Sequence, residues 1–430
     1  MNERRCSKLA VNIIDAPMGF GKTSAMINYM NEHRDKHYVF VTPYLDEGVR
    51  VRDACEELHF QIPESEVISD TGFYTSKMID FKKFLRQRDN IVTTHALFER
   101  FDLDTLQMII DGKYTLIMDE VADVANKFDI SPYDTKNITT QHTDVDDNGQ
   151  LVWKESDREY YGRYLDYKQM CDNGCLWYYH ATSIMKMIPV RIFEAFDDIF
   201  IMTYMFDAQL HRCYFDLFGI QYDKMYVYGD SPSTYHISNT PRTYEMPGLR
   251  DKITIYEDKL NVVGYEWYAL SSGWYESSNE KSDIRAIKNA TTNYLRHVAS
   301  AGSSSALWTC FKTKQKPWEK HAKEPTPYFT PKSYASSFLA CNARATNEYR
   351  HKNVLVYPIN RFMNPEVKNF FLRKGIEVDE GKWALSEMIQ WIWRGAIRDG
   401  KHIDIYIPSR RMRTLLEQWI AEVSMLQPAA

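Results

Sequence analysis

The stretch Ala16-Pro17-Met18-Gly19-Phe20-Gly21-Lys22-Thr23 lies between an apolar run, Leu9 to Ile14, and a good helix-forming segment that opens at Ser24. The order of strand, glycine turn, Lys-Thr and helix is typical of a phosphate-binding loop. Glycines at positions 19 and 21 let the backbone curl, so that successive N–H groups can point at phosphate oxygens. The helix N-terminus adds its positive dipole end. The stretch therefore predicts a nucleotide-phosphate site, with Ala16 in place of the usual first glycine.

Each residue of such a loop has an expected contact. Lys22 would reach the β- and γ-phosphates of ATP, and the hydroxyl of Thr23 would hold Mg²⁺. We place Gly19, Gly21 and Ser24 with them among the expected nucleotide contacts. The alternative is a glycine turn that arose by chance, which the flanking strand and helix disfavour.

A second apolar strand, Tyr114 to Met118, ends in Asp119-Glu120. A carboxylate at the end of a strand beside a phosphate loop is what a Mg²⁺ ligand requires, and Asp119 takes that position. The next carboxylate, Glu120, can polarise the attacking water. The alternative is an acidic helix N-terminus, because Asp and Glu favour first turns. The phosphate loop upstream makes the catalytic interpretation the better one.

Composition sets the class of protein. A chain of 430 residues predicts two or three domains. The formal net charge of -5 gives no global basic signature, so any contact with nucleic acid must come from local patches. The seven cysteines are scattered and predict no zinc site. No apolar run approaches membrane-spanning length and the N-terminus lacks a signal-peptide core, so we expect a cytoplasmic protein without membrane contact.

Strand and helix patterns alternate in both halves of the chain, as in parallel α/β sheets. The alternation breaks down at about 126–174, which we interpret as an insertion after the acidic motif. Asp147-Asn148-Gly149 inside it is a hairpin-turn signal. We predict a first domain at 1–225 and a second at 226–430, the second without a phosphate loop of its own.

Local patterns predict two helices and a strand in the second half of the chain. Asn364-Pro365 is typical of a helix start, and the pattern from Trp383 to Ile397 predicts another helix. The apolar run Ser336 to Cys341 predicts a strand. The fold class expected overall is α/β, with two tandem domains built on parallel sheets and an insertion in the first.

With these motifs in order, the chain resembles a superfamily 2 helicase, and more narrowly the compact phage-type and mobile-element-type members. The resemblance implies that the two tandem domains are RecA-like. Asp119-Glu120 with the following Val-Ala-Asp resembles a DEAD-type motif II, and Thr203-Tyr204 stands where motif III couples hydrolysis to strand binding. The resemblance implies that loops similar to motifs Ia, Ib and V hold the phosphates of a nucleic-acid strand. The residues it assigns to that strand are Thr42, Pro43, Thr93, Thr94, His95 and, in the loosely matching segment 342–347, Thr346.

The segment from Gln390 to Arg398 resembles motif VI, with Gln390 and Arg394 at the expected spacing. The resemblance implies that Arg394 or Arg398 offsets γ-phosphate charge in the transition state. On one helix the two arginines would be one turn apart. The alternative is a pair of solvated arginines on an amphipathic helix.

The sequence as a whole predicts an ATP-dependent, Mg²⁺-requiring helicase or translocase that hydrolyses ATP between two domains. The resemblance favours single-stranded or forked DNA as the partner, with RNA possible, and the cytoplasm of a bacterial host if the protein is phage-encoded. Two alternatives stay open: a packaging-type motor ATPase, and an ATP-switched nucleic-acid clamp that does not unwind.

Overall fold

The computed structural model describes residues 9–65, 76–277, 281–313, 324–343 and 348–425. The chain divides into two compact units. The first contains Met1–Arg242 and Asn364–Val378, and the second contains Thr243–Met363 and Asp379–Ala430. The chain therefore leaves the first unit, returns to it for 15 residues and leaves it again.

Strands of the described residues are short and mostly parallel. They are β1 (Ala10–Asp15), β2 (His37–Thr42), β3 (Ile91–Thr94), β4 (Tyr114–Asp119), β5 (Ala125–Lys127), β6 (Thr143–Val145), β7 (Leu151–Trp153), β8 (Leu176–His180), β9 (Ser183–Met187), β10 (Asp198–Thr203), β11 (Asp223–Tyr228), β12 (His236–Ser238), β13 (Ile253–Ile255), β14 (Ala306–Trp308), β15 (Val354–Val356) and β16 (Ile403–Tyr406).

The α-helices of the described residues follow the same order. They are α1 (Lys22–Glu32), α2 (Leu45–Ala54), α3 (Lys77–Gln87), α4 (His95–Phe98), α5 (Leu103–Gly112), α6 (Pro132–Asn137), α7 (Leu165–Asp172), α8 (Val190–Glu194), α9 (Leu210–Phe218), α10 (Ser272–Ser277), α11 (Lys281–Asn293), α12 (Pro365–Arg373), α13 (Glu380–Ile392) and α14 (Arg410–Met425).

A seven-stranded sheet organises the first unit, in the order β12-β11-β1-β10-β4-β2-β3. All neighbouring strands are parallel except β12, which pairs antiparallel with β11 at one edge. The central strands are buried along nearly their whole length, as expected for parallel strands covered on both faces. This confirms the predicted α/β class.

The returning segment 364–378 completes the core of the first unit. Helix α12 begins after Asn364, whose side chain accepts hydrogen bonds from the N–H groups of Glu366 and Val367, as the sequence predicts. Val367, Phe370 and Phe371 are buried in the same core as the central strands of the large sheet.

The segment that follows β4 folds into small elements of its own. Strands β5, β9 and β8 form an antiparallel sheet, and β6 pairs with β7 as a hairpin. Gly149 lies in the hairpin turn with φ +95°, which confirms the turn predicted at Asp147-Asn148-Gly149. Helices α6 and α7 cover a small core with Leu151, Trp153 and Tyr164.

The second unit is built on a fully parallel sheet in the order β13-β16-β15-β14. Two sequence predictions for this unit are wrong. Ser336–Cys341 is not a strand: residues 335–337 form a 3₁₀ turn, and Phe338 makes one isolated bridge to Trp308. The helix predicted from Trp383 to Ile397 ends at Ile392, because the backbone becomes extended at Gly395.

Candidate nucleotide-binding site

The carboxyl ends of five parallel strands meet at one edge of the first sheet. Asp15 pairs with Thr203, Met202 with Asp119, and Val41 with Met118 in the strand register. Thr42 at the end of β2 pairs in turn with Thr94 at the end of β3. Motifs almost two hundred residues apart in sequence are thereby brought to one edge, where ligands bind in open α/β sheets.

The predicted phosphate loop has two glycines in the left-handed region directly before a helix. Gly19 and Gly21 have φ of +86° and +78°, and α1 starts at Lys22 directly after them. The ammonium group of Lys22 folds back over the loop and donates to the carbonyl oxygens of Ala16 and Pro17, the latter at 3.0 Å. The lysine side chain therefore lies against the loop that precedes it.

The hairpin of β11 and β12 packs against the predicted phosphate loop, a contact that the sequence did not predict. The ring of Tyr235, in the turn between β11 and β12, lies 2.5 Å from the position that a Cβ on Gly21 would take. The side-chain amide of Asn28 on α1 holds this turn by donating to the carbonyls of Pro232 and Tyr235, at 3.0 and 2.8 Å. Gly21 is therefore required twice, for its φ angle and for the space that the tyrosine ring fills.

Asp15, the last residue of β1, fixes the neighbouring turn. Its carboxylate accepts hydrogen bonds from the backbone N–H groups of Met205 and Phe206, at 2.8 and 3.0 Å. Burial raises the pKa of Asp15, and these two hydrogen bonds with the charges of Lys224 and Lys22 oppose that rise. An acid directly before the loop was the available sequence signal, and the interpretation of the motifs overlooked it.

Asp119 and Glu120 lie on the strand next to this turn. Asp119 ends β4, and Glu120 follows in the left-handed region with φ +61°, its N–H donating to the carbonyl of Met202 at 3.0 Å. A non-glycine residue in that region is strained, and such strain is frequent at functional sites.

This set of donors fits Mg²⁺ and ATP. Carboxylate and hydroxyl oxygens, which Mg²⁺ prefers, come from Asp119 and Thr23, the latter half-buried in the first turn of α1. A Cβ on Gly19 would meet no atom within 4 Å, so the loop has open space beside it. The hydroxyl of Ser24 already accepts a hydrogen bond of 3.4 Å from Arg50 on α2.

The residues predicted to contact a nucleic-acid strand differ in how deeply they are buried. Thr42 and Thr93 are 0% and 2% exposed, so their side chains are not available to a nucleic acid in this structure. Pro43, Thr94 and His95 are half-buried and remain accessible. Thr346 and most of its motif, residues 344–347, lie outside the described residues.

The motif VI residues all lie in the second unit. Gln390 is on α13 and donates to the hydroxyl of Ser386 at 3.2 Å. Arg394 follows the end of that helix and is 6% exposed, whereas Arg398 lies in a separate 3₁₀ turn, Ala396–Asp399, and is half-exposed. The two arginines therefore do not share a helix face, contrary to the prediction, because the helix stops before Gly395.

A separate cavity of about 370 Å³ lies between α1 and the β11–β12 edge of the sheet. Asn12, Asn28, Tyr29, His33 and His236 are among its lining residues, and no residue of the loop 16–24 lines it. It is therefore distinct from the place where the loop would hold phosphates.

The chain is 38% identical over 419 residues to the SPbeta prophage-derived uncharacterized protein YonV of Bacillus subtilis (strain 168). The alignment covers 95% of this chain and 98% of that protein. This chain belongs to the YonV family. Two family models also match, the YonV middle domain at residues 125–186 and the YonV C-terminal Rossmann-like domain at residues 247–420.

The family models agree with the elements described above. The YonV middle domain spans the segment with β5 to β9, and the predicted insertion at 126–174 falls within it. The Rossmann-like domain of the family contains the parallel sheet of the second unit. Among solved structures, S. tokodaii Xpd4 aligns with 97% of this chain and 95% of its own, at 12% identity. The TM-score is 0.48, too low for this likeness to support an argument.

Proposed function

We propose that this member of the YonV family hydrolyses ATP with Mg²⁺ and couples hydrolysis to movement along, or unwinding of, nucleic acid. One observation carries the ATPase proposal: the register of β1, β10 and β4 puts the phosphate loop and the Asp119-Glu120 pair at one edge of one sheet. The coupling to nucleic acid rests on the sequence resemblance to helicases. That resemblance favours DNA, and a relative described as prophage-derived is consistent with the phage-type assignment.

The residues divide the chemistry between them. The loop N–H groups and Lys22 would bind the phosphates, and Thr23 with Asp119 would hold Mg²⁺. Bound Mg²⁺ would offset the charge that develops on the phosphate oxygens. Glu120 would orient the attacking water and accept its proton.

Two substitutions test this assignment in the full-length chain. Lys22→Ala removes a phosphate contact, so we expect both ATP binding and hydrolysis to be lost. Glu120→Gln keeps the shape but cannot take the proton, so we expect ATP binding with turnover reduced by about 10²-fold or more. Turnover would be measured as phosphate release and binding with a fluorescent ATP analogue. Asp111→Asn, an exposed carboxylate on α5 of the same unit, is the matched control and should behave like the unmutated chain.

The same assay separates the helicase from its alternatives. A translocase must couple strand binding to hydrolysis, so single-stranded DNA or RNA should raise the rate well above its basal value. An ATP-switched clamp would bind a strand in the presence of ATP without such stimulation. Stimulation by duplex DNA alone would favour the packaging-type motor. Full turnover in Glu120→Gln would remove Glu120 from the mechanism.

A further inference from the structure

The second unit presents a group of large aromatic side chains to solvent. Tyr265, Trp267 and Tyr268 are 61%, 60% and 68% exposed, and Val262 beside them is 74% exposed. Phe362 from another loop lies next to Tyr268, with 5.5 Å between ring centroids. We call Tyr265, Trp267, Tyr268 and Phe362 the aromatic platform. Clustered exposed apolar side chains mark interaction sites more often than chance exposure does.

Two arginines lie against these rings. The guanidinium of Arg411 is 4.3 Å from the ring centroid of Phe362 and 5.8 Å from that of Trp267, and the guanidinium of Arg410 is 4.9 Å from that of Tyr265. Arg411 also donates hydrogen bonds to the side-chain oxygen of Asn360 at 3.0 Å and to the carbonyl of Arg361 at 2.7 Å.

Asn360 joins the parts of the platform through hydrogen bonds. It is 1% exposed, and its side-chain amide donates to the carbonyls of Trp267 and Ala269, at 2.8 and 3.2 Å. Its backbone N–H donates to the carbonyl of Leu270 at 2.8 Å. One buried asparagine thus fixes the aromatic loop and, through its side-chain oxygen, Arg411. A surface that is ordered before binding loses less conformational entropy when a partner binds.

The platform also lies where ligands bind on α/β sheets. Its residues come from the loops that follow β13 and β15, and its arginines from the start of the helix that follows β16. These three strands are neighbours and parallel, so the loops gather at their common carboxyl edge.

We propose that the aromatic platform binds single-stranded nucleic acid by stacking its bases on Trp267, Tyr265 and Tyr268. Base faces are open in a single strand and hidden in a duplex, and aromatic rings with arginine planes are the groups that stack on them. The exposed carboxylate of Glu266 lies in the same loop and would repel a phosphate beside it, so we expect stacking to contribute more to the affinity than phosphate attraction. This inference rests on the proposed function and names one surface that would hold the strand.

The test measures binding of a fluorescent single strand of about 20 nucleotides to the full-length chain by anisotropy at several salt concentrations. Trp267→Ala should weaken binding about 10-fold, and Trp267→Phe, which keeps a ring, should weaken it less. The slope of log Kd against log salt should not change for Trp267→Ala, because no phosphate contact is lost. Arg410→Ala should lower that slope by about one, because it removes a cation near the strand.

Tyr161→Ala is the matched control, because this tyrosine is 92% exposed in the middle domain and lies outside the platform. It should leave strand binding unchanged. Equal Tm values for the variants would show that each one folds. Unchanged affinity in Trp267→Ala and Tyr268→Ala would overturn the proposal.

Other outcomes would also overturn the proposal. Weakened ATP binding with normal strand binding would assign the platform to a mononucleotide. If the unmutated chain binds no strand yet hydrolyses ATP in a Lys22-dependent way, the platform serves another partner, such as a protein, and the ATPase assignment stands.

Discussion

Four residues with positive φ lie at the candidate site. Gly19, Gly21, Glu120 and Met205 all follow the ends of β1, β4 and β10 within a few residues. For Glu120 and Met205 this conformation costs free energy that neighbouring contacts must offset. The Asp15 carboxylate holds the N–H of Met205, so the strain at that position has an identified support. Strained residues of this kind are frequent at functional sites, and here two of them lie at the ends of adjacent strands.

Replacing Gly21 should show both of its roles at the residue scale. Gly21→Ala adds a methyl group at positive φ and places it against the ring of Tyr235, so we expect a clear fall in Tm and loss of ATP binding. Gly219→Ala provides the control, because this glycine has φ +64° and open space around it. It should cost only the strain, about 1 kcal/mol. Adding Tyr235→Ala to Gly21→Ala should recover part of the stability, and no recovery would contradict the steric account.

In the middle domain, one buried carboxylate connects helix α6 with neighbouring segments through hydrogen bonds. Asp134 on α6 is 6% exposed and accepts hydrogen bonds from Ser131, Tyr164 and Arg163, at 2.7 to 2.9 Å. Burial opposes its ionisation, but the hydrogen bonds from Ser131 and Tyr164 and the charge of Arg163 outweigh burial. The pKa of Asp134 is therefore lowered.

The sign of this shift gives a pH dependence. A carboxyl whose pKa is lower in the folded state than in the unfolded state stabilises the folded state at any pH above its unfolded pKa, about 3.9. This stabilisation is lost as the pH falls from the unfolded pKa through the folded pKa. Amides of α6 should therefore lose protection from hydrogen exchange on acidification below about pH 4. Tyr164→Phe removes one hydrogen bond to the carboxylate and so raises its folded pKa, which should make the loss smaller and complete at a higher pH. An Asp134→Asn variant with the same pH profile as the unmutated chain would refute the assignment.

Short sequence patterns correctly predicted those strands, turns and helix caps whose structure depends on neighbouring residues alone. The strand His37–Thr42, the turn at Asp147-Asn148-Gly149 and the cap at Asn364 were all confirmed. Contacts between distant segments were not predictable, because no short-range pattern encodes them. Tyr235 against Gly21 and the Asp15 clamp both depend on strand order. Ser336–Cys341 shows the opposite error, an apolar run that is only partly buried and does not form a strand.

In the whole molecule, the mechanism predicted from the resemblance to motif VI requires an arginine of the second unit for ATP hydrolysis. Arg398 is the better one to test, because Arg394 is 6% exposed and its removal would disturb the fold. Arg398→Ala should lower kcat strongly and leave KM nearly unchanged, the pattern of a contact made mainly in the transition state. Arg350→Ala, which removes a surface ion pair with Asp399 in the same unit, is the control. Normal kcat for Arg398→Ala with nucleic acid present would exclude this arginine.

The path of the chain also has a consequence for protein synthesis. Residues 364–378 complete the core of the first unit, yet a ribosome makes them more than a hundred residues after Arg242. Until α12 emerges, the nascent first unit lacks Val367, Phe370 and Phe371 and leaves the apolar surface they cover open to water. We expect a fragment that ends at Arg242 to aggregate, and a peptide of residues 364–378 supplied in trans to improve its solubility. Cotranslational folding of the first unit would then finish only during synthesis of the second.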